Sequence, residues 1–514
     1  MSRSAKAASG FATSVFQYIS QILVQALLAP VVLQLAGREA LGAYAAINQT
    51  LTFISLVDVV HSWTLERYLA QATGAADGGE QFRQTFTIAR TLMLVSNTII
   101  AILIVILSFF VGPLYGLSLD IALQAQHALW VIAAWNVLRT PLAAYLNASI
   151  ATQDLAANNL IGAFLGFLRA SASLVFVLFG TGLFGLMLAG TLAEALGSIL
   201  YRWRFRRLHG NLMPRWGVPD WARLWEMVSF GWQAMLLNVG NLLLYSSGSA
   251  IAALTNGAAV ASTFYTSQMP AMTLSNMVMR LPDSVAPAIN QLCGQQDEEP
   301  LRNAFIRLTR IILLFALPLA AGTIIFNRDL VVAWVGLPQY AGGLFTVSLA
   351  LFCVILIVQR QLIVYSFAFG WIRLLMVTAL LQGAANLALA FYLTRFMGLS
   401  GITIALLIST IPQTIILWLK VTKRLGVDTR DLIVDCFKRV TIPLVLASAA
   451  GLLAQRLFTV GYHDIMGLLF VTAPFGLTYT AIAYSWSIEP RERDAISGKV
   501  RQIFKALSAR IGTK

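Results

Sequence analysis

Long apolar segments separated by short polar connections make up almost the whole chain. A segment of about 20 to 30 mostly apolar residues can cross the hydrocarbon core of a bilayer as a tilted helix. No stretch shows the two-residue alternation that is typical of strands. The pattern predicts an all-α polytopic membrane protein with about fourteen transmembrane helices, at residues 11–36, 42–71, 84–112, 121–151, 156–179, 182–205, 222–254, 259–291, 303–326, 342–369, 371–394, 399–422, 433–458 and 464–487.

The composition supports a membrane protein. Hydrophobic residues make up 58% of the 514 positions and charged residues only 11%, which is far more apolar than a soluble protein. The formal net charge of +14 would suggest nucleic acid in a soluble chain, but no basic patch is interleaved with aromatic residues. A positive surface facing anionic lipid is the better interpretation, and no nucleic-acid partner is expected.

The distribution of basic residues predicts the orientation in the membrane. Of the 36 Lys and Arg, 28 fall in the termini and loops of one side and four on the other. Because basic loops remain in the cytoplasm, both termini are predicted to be cytoplasmic, which requires an even number of helices. The remaining four arginines lie inside predicted membrane segments, at Arg139, Arg169, Arg280 and Arg360.

The chain contains a weak internal repeat. A shift of 219 residues sets 35–83 against 254–302 without a gap and places Phe86 on Phe305. Each copy would hold six helices, so the two copies would have the same orientation, as in parallel transporter repeats. The predicted organisation is an N-terminal lobe (1–207), a cytoplasmic linker (208–221), a C-terminal lobe (222–425), two added helices (426–489) and a cytoplasmic amphipathic helix (490–514).

Metal and nucleophile motifs are absent from the sequence. The three cysteines and four histidines are scattered, with no metal-ligand spacing. We therefore expect no metal, no cofactor and no enzymatic activity.

The four intramembrane arginines are the main candidates for substrate binding. Cations at bilayer depth are costly, and guanidinium groups bind phosphate oxygens in a fork. Alternatives remain for three of them: Arg169 could pair with Glu194, and Arg139 and Arg360 could extend to the membrane interface. Arg280 is the strongest candidate, since it lies on a polar face of its segment and is aligned by the repeat with His61.

Two further groups of polar residues are candidates. Asp58, His61 and Glu194 could couple transport to protons or sodium, or could simply be packing partners. Amide side chains at helical steps could bind sugar hydroxyls, or could hold helices together; they are Gln21, Gln25, Asn48, Asn241, Gln268 and Asn276.

A family resemblance follows from these features. Three features are relevant: the division of the segments into six, six and two, the basic loop at 201–221, and the GLxG sequences at Gly182 and Gly398. In these features the chain resembles the multidrug/oligosaccharidyl-lipid/polysaccharide (MOP) exporter superfamily. The chain is most similar to its polysaccharide-transporter branch, the Wzx-type O-antigen and exopolysaccharide flippases.

The resemblance implies a flippase of the bacterial inner membrane. Such a protein moves a polyprenyl-pyrophosphate-linked oligosaccharide from the cytoplasmic to the outer leaflet by alternating access, in the biosynthesis of polysaccharides such as lipopolysaccharide O-antigen. The expected partners are the lipid-linked glycan and membrane lipids, with polymerases and glycosyltransferases as candidate protein partners. The prenyl tail would remain in lipid, along the two added helices.

Three alternatives stay open at this point. A proton- or sodium-coupled multidrug exporter would share the architecture, but four arginines would repel cationic drugs. A lipid II flippase is a related alternative. A membrane glycosyltransferase or polymerase would need large outer loops, and the predicted ones are short.

Overall fold

The computed structural model describes residues 27–73, 79–152, 154–214, 220–295, 297–461 and 463–487. All regular structure within these ranges is helical, and no strand occurs in them. This confirms the predicted all-helical membrane fold. Most of the predicted first segment, with Gln21 and Gln25, and the predicted amphipathic helix at 490–514 lie outside the described residues.

The helices follow the predicted segments closely. Residues 27–35 are helical, and two short 3₁₀ turns occur at Gly210–Leu212 and Leu337–Gln339. The remaining helices are α1 (Gly37–Ile54), α2 (Leu56–Ala72), α3 (Glu80–Tyr115), α4 (Leu119–Leu138), α5 (Thr140–Ala143), α6 (Tyr145–Ala151), α7 (Leu155–Leu178), α8 (Gly182–Leu208), α9 (Trp221–Tyr245), α10 (Gly248–Asn256), α11 (Ala258–Gly294), α12 (Glu298–Val335), α13 (Gly343–Ala368), α14 (Ile372–Met397), α15 (Leu399–Leu425), α16 (Thr429–Leu457) and α17 (Ile465–Trp486).

Three predicted segments are interrupted helices. The segment at 42–71 is divided at Ser55, the segment at 121–151 is divided at Arg139 and Ala144, and the segment at 222–254 bends by 51° between α9 and α10. The bend falls at Ser246 and Ser247, where hydroxyl groups can take over backbone hydrogen bonds. Ser247 Oγ donates to the Leu243 carbonyl at 2.8 Å.

Eleven helices in the described ranges are long and apolar enough to span a membrane, and twelve if the bent pair is one span. The predicted total of fourteen is therefore not confirmed. The predicted eighth segment is α11, a helix of 37 residues that is not among the eleven because its many polar residues lower its mean hydropathy.

The chain forms two compact units. Unit 1 consists of Met1–Thr266 and Ile372–Ser409, and unit 2 of Ser267–Trp371 and Thr410–Lys514. The predicted division into two six-helix lobes stays a prediction.

Unit 1 contains neighbouring helices that pack through small residues. α3 packs on α4, α7 on α8, and α9 on both α14 and α2. A Cβ atom at Gly42 would lie 1.6 Å from the Ala258 carbonyl oxygen, and one at Gly240 would lie 2.4 Å from the Ala379 carbonyl carbon. The backbones therefore approach too closely for any side chain at these positions, as is typical of membrane helices.

Unit 2 is organised around α12. This helix packs against α13, α16 and α17, and α16 packs against α17. The Phe326 and Phe475 rings meet edge to face with centroids 5.5 Å apart, and Tyr479 Oη donates to the Leu314 carbonyl at 2.6 Å. These contacts attach the last helix to α12.

Aromatic pairs support the internal repeat. In unit 1, Phe86 and Tyr145 are 5.1 Å apart between ring centroids, at an interplanar angle of 81°. In unit 2, Phe305 and Tyr365 are also 5.1 Å apart, at 86°. Phe86 and Phe305 are the residues that the sequence shift aligns, and each makes an edge-to-face contact with a tyrosine of its own unit.

Candidate functional site

Arg169 is the central residue of the candidate site in unit 1. It lies on α7 and lines two neighbouring cavities, of about 290 Å3 and about 430 Å3. Leu28, Val32 and Leu186 make part of the first cavity apolar. The guanidinium is thus accessible from both cavities, and Arg169 is the one Lys or Arg among the described residues that line them.

Two features orient the Arg169 side chain. Its Nη2 atom donates a hydrogen bond to Tyr44 Oη at 2.6 Å. On α8, a Cβ atom at Gly190 would lie 3.4 Å from Arg169 Cζ, so the guanidinium lies at contact distance from this helix. Tyr44 and Tyr265 both line the smaller cavity; the sequence analysis did not select them.

Glu194 lines the larger cavity together with Arg169 and Asn48. Its salt bridge is with Arg139, through Nη1, and not with Arg169, which the sequence analysis gave as an alternative partner.

Arg139 joins two carboxylates. Its Nη2 atom lies 3.5 Å from Asp58 Oδ2 and donates to Asn97 Oδ1 at 3.2 Å. Ser96 Oγ donates to Asp58 Oδ1 at 2.9 Å. Arg139 is only 17% exposed and pairs with carboxylates of two other helices; the alternative in which it extends to the membrane interface stays a prediction. We call Asp58, Arg139 and Glu194 the carboxylate cluster.

An arginine–aspartate pair also occurs in unit 2. Arg360 Nε on α13 donates to Asp283 Oδ1 on α11 at 2.8 Å. Arg139 lies in the predicted fourth segment and Arg360 in the predicted tenth, and each pairs with an aspartate of the segment two positions earlier. The sequence analysis treated Asp283 only as a residue that could bend α11.

The other candidates lie on α1, α2, α9 and α11. Arg280 is exposed on α11, and Gln268 and Asn276 are half-buried on the same helix. Asn241 is half-buried on α9, and Asn48 Nδ2 donates to the Tyr44 carbonyl at 2.7 Å. His61 lies on α2. The roles of these residues in substrate binding or ion coupling remain predictions.

An apolar groove in unit 2 was not anticipated from the sequence. It has a volume of about 560 Å3 and lies between α11, α12 and α17. Apolar residues at helical spacing on α11 were the signal that could have indicated it. Its lining includes Pro270, Leu274, Met277, Val278, Leu281, Phe315, Pro318, Leu319, Phe326, Leu330 and Phe475.

The described ranges contain no group of three His, Cys, Asp or Glu residues that could hold a metal ion. Cys353 and Cys436 are buried, and Cys293 is half-buried.

Comparison with solved structures shows a transporter fold. The lipid II flippase MurJ, in an inward closed conformation, has 13% sequence identity and a TM-score of 0.66, with 92% of this chain and 97% of MurJ covered. An inward-facing multidrug resistance MATE family transporter of the MOP superfamily has 14% identity and a TM-score of 0.64, with coverages of 79% and 94%. A mutant Vibrio cholerae MATE transporter has 18% identity and a TM-score of 0.51, with coverages of 83% and 98%.

Comparison at the sequence level gives the family. No curated protein matches the chain. The sequence profile described as "Polysaccharide biosynthesis protein" matches residues 31–341, which is more than half of the chain. The chain therefore belongs to this polysaccharide biosynthesis protein family.

Proposed function

We propose that the protein is a flippase that moves a polyprenyl-pyrophosphate-linked oligosaccharide from the cytoplasmic to the outer leaflet of the bacterial inner membrane, by alternating access. Membership of a polysaccharide biosynthesis family, combined with a MOP transporter fold, supports this proposal. Such a substrate has a dianionic or more highly charged head group, polar sugars and a long apolar tail. The chain should therefore offer a different environment for each part.

The accessible guanidinium of Arg169 is the observation that carries the proposal. It lines two cavities, and Tyr44 fixes one of its nitrogen atoms at 2.6 Å. The remaining N–H groups can bind pyrophosphate oxygens, and a charge-assisted hydrogen bond is worth about 1.5 to 3 kcal/mol. Asn48, which lines the larger cavity, adds an amide that can bind a sugar hydroxyl.

The apolar groove of unit 2 fits the tail. Exposed side chains of Leu274, Met277 and Phe315 line it. Burying apolar prenyl carbon against such a surface involves no unsatisfied polar group. The groove includes Thr472 and Phe475 of α17, one of the two helices added after the repeat, along which the family resemblance implies that the tail would lie.

The two sides of α11 match the two ends of the substrate. Groove residues recur along one face of the helix, from Pro270 to Leu281. At about 100° per residue, Asn276 and Asp283 fall on the opposite side. A single helix thus combines an apolar face with a polar one, and Arg280 lies beside the polar face.

The charge pattern argues against a cationic drug as substrate. Asp58 and Glu194, the carboxylates that could attract a cation in unit 1, are both paired with Arg139. Arg169 on the cavity wall would also repel a cation. MurJ is titled a lipid II flippase, and lipid II shares the polyprenyl-pyrophosphate chemistry, so the glycan must be determined by experiment.

Reconstituted transport tests the proposal. Purified protein in liposomes is given a fluorescent polyprenyl-pyrophosphate oligosaccharide, and dithionite reduction reports the fraction in the outer leaflet. We expect flipping that Arg280→Ala and Arg169→Gln reduce at least tenfold, with Arg280→Lys retaining part of the rate.

Parallel assays separate the alternatives. Fluorescent lipid II in place of the oligosaccharide lipid tests the related flippase function, and ethidium efflux tests drug export. Ethidium transport without glycan-lipid flipping would overturn the proposal. Full activity in both Arg280 variants would exclude a role for Arg280 in substrate binding.

A further inference from the structure

A second groove of unit 2 lies between the beginning of α16 and the end of α17. Its volume is about 650 Å3, and it is lined by Ile433, Val434, Phe437, Lys438, Thr441, Ile442 and Trp486. We propose that this groove is a binding site for an anionic phospholipid of the cytoplasmic leaflet, with its phosphate at Lys438 and an acyl chain against Phe437 and Ile442. The site is separate from the substrate contacts proposed above and does not depend on the transported molecule.

The end of α17 is held firmly against α16 at this point. Trp486 Nε1 donates to the Lys438 carbonyl at 3.4 Å, and Ser487 Oγ donates to the Arg439 carbonyl at 2.7 Å. Trp486 is nevertheless 57% exposed. The indole therefore forms a fixed wall whose outer face is free to contact lipid, at the depth that tryptophan favours in membranes.

The charges around the groove favour an anion. Lys438 is exposed and lines the groove. Behind it, Asp435 forms salt bridges with two arginines, with Arg439 Nε at 3.0 Å and with Arg310 Nε at 2.7 Å. These four side chains carry three positive charges and one negative. Asp431 lies about two turns nearer the start of α16, roughly 10 Å along the axis.

The apolar part of the groove fits an acyl chain. Phe437, Ile442 and Val434 are all exposed, and the next exposed apolar residue, Val445, continues the same surface towards the middle of α16. Helix side chains lean towards the N-terminus, which directs the Lys438 amine to the end of α16 that is predicted to be cytoplasmic. The lipid head group would then lie nearer the predicted cytoplasmic side, and the acyl chain nearer the middle of the membrane.

The chain's own C-terminus is a poorer occupant. Residues 490–514 contain seven Lys and Arg but only two acidic residues. A segment with this excess of positive charge would be repelled by Lys438 and its neighbours, whereas an anionic head group is attracted by about 1 kcal/mol for each basic residue near the surface.

Selective quenching of Trp486 tests the site. The full-length protein is reconstituted in mixed phosphatidylglycerol and phosphatidylcholine liposomes, with brominated chains on one lipid or the other. The fluorescence that Trp486 contributes is the difference between wild type and Trp486→Phe. We expect about fivefold enrichment of phosphatidylglycerol at Trp486, corresponding to a single lysine contact.

Two variants make the result decisive. Lys438→Gln should remove the preference for phosphatidylglycerol, and Lys438→Arg should retain it. The matched control is Lys420→Gln, because the Lys420 amine lies 5.9 Å from the centroid of the Trp371 ring but Lys420 does not line the groove. Equal quenching by both lipids in the wild type, or a preference that survives Lys438→Gln, would overturn the proposal.

Discussion

Removing the Arg139 charge should destabilise unit 1 by about 2 to 3 kcal/mol. Arg139 is the counter-charge for two carboxylates, and at 3.5 Å from Asp58 the attraction is about 5 kcal/mol with an effective dielectric constant near 20. Most of this attraction offsets the desolvation of the ions, so the ion pair adds little to the free energy of unfolding. Breaking a fully buried pair costs about 3 to 5 kcal/mol because a charge is left behind.

The partial exposure of the carboxylate cluster reduces the expected cost of breaking it. Arg139 and Asp58 are 17% and 26% exposed, but Glu194 is 48% exposed, so water can solvate Glu194 after the substitution. Asp58 would keep the hydrogen bond from Ser96 but lose its Arg139 counter-charge. The main cost of Arg139→Gln is therefore one poorly solvated carboxylate.

Reversible unfolding in mixed detergent and SDS micelles, followed by circular dichroism, measures this cost. The triple variant Asp58→Asn, Arg139→Gln, Glu194→Gln should recover most of the loss, because no unpaired charge remains. The matched control is Arg360→Gln, whose side chain is 43% exposed and whose loss should cost less than about 1 kcal/mol. An unchanged stability in Arg139→Gln, or a triple variant no better than the single one, would refute this account of the cluster.

Three further substitutions test other features. Tyr44→Phe should reduce glycan-lipid flipping about fivefold by releasing one N–H of Arg169, a smaller effect than Arg169→Gln in the same assay; equal effects would contradict an orienting role. Gly42→Ala should prevent the close approach of α1 and α11 and lower the yield of folded protein in size-exclusion chromatography, whereas Gly210→Ala, with open space around it, should not. Gly322→Leu should fill the apolar groove and slow flipping of long-chain polyprenyl substrates more than of short-chain ones, and equal slowing would exclude tail binding there.

The sequence predicted the helical fold because its signal is strong and local. Apolar segments define helices, and the predicted segment at 182–205 differs from α8 only at its C-terminal end. The bend at Ser246 and Ser247 was missed, although adjacent serines before a glycine are a known cause of kinks. A hydropathy pattern averages over such short interruptions.

The candidate site was predicted only in its residue types. The charged residues were selected because ions inside apolar segments are rare, and Arg169 does line cavities. Their partners depend on which helices are neighbours and on helix phase, so the pairing of Glu194 with Arg139 and of Asp283 with Arg360 could not be derived from spacing. The tyrosines beside Arg169 gave no signal, since isolated tyrosines are common in membrane helices.

The apolar groove between α11, α12 and α17 has a pharmacological consequence. Because its lining is mostly apolar and includes the exposed side chains of Leu274, Met277 and Phe315, a small inhibitor would reach it from the hydrocarbon phase and not from water. Its effective concentration would be set by partitioning into the bilayer, where each added CH₂ contributes about 0.8 kcal/mol. Within a series of compounds, potency calculated from the concentration in water would therefore rise with lipophilicity even when the contacts in the groove stay the same. Only potency calculated from the concentration in the membrane would measure how well a compound binds the groove.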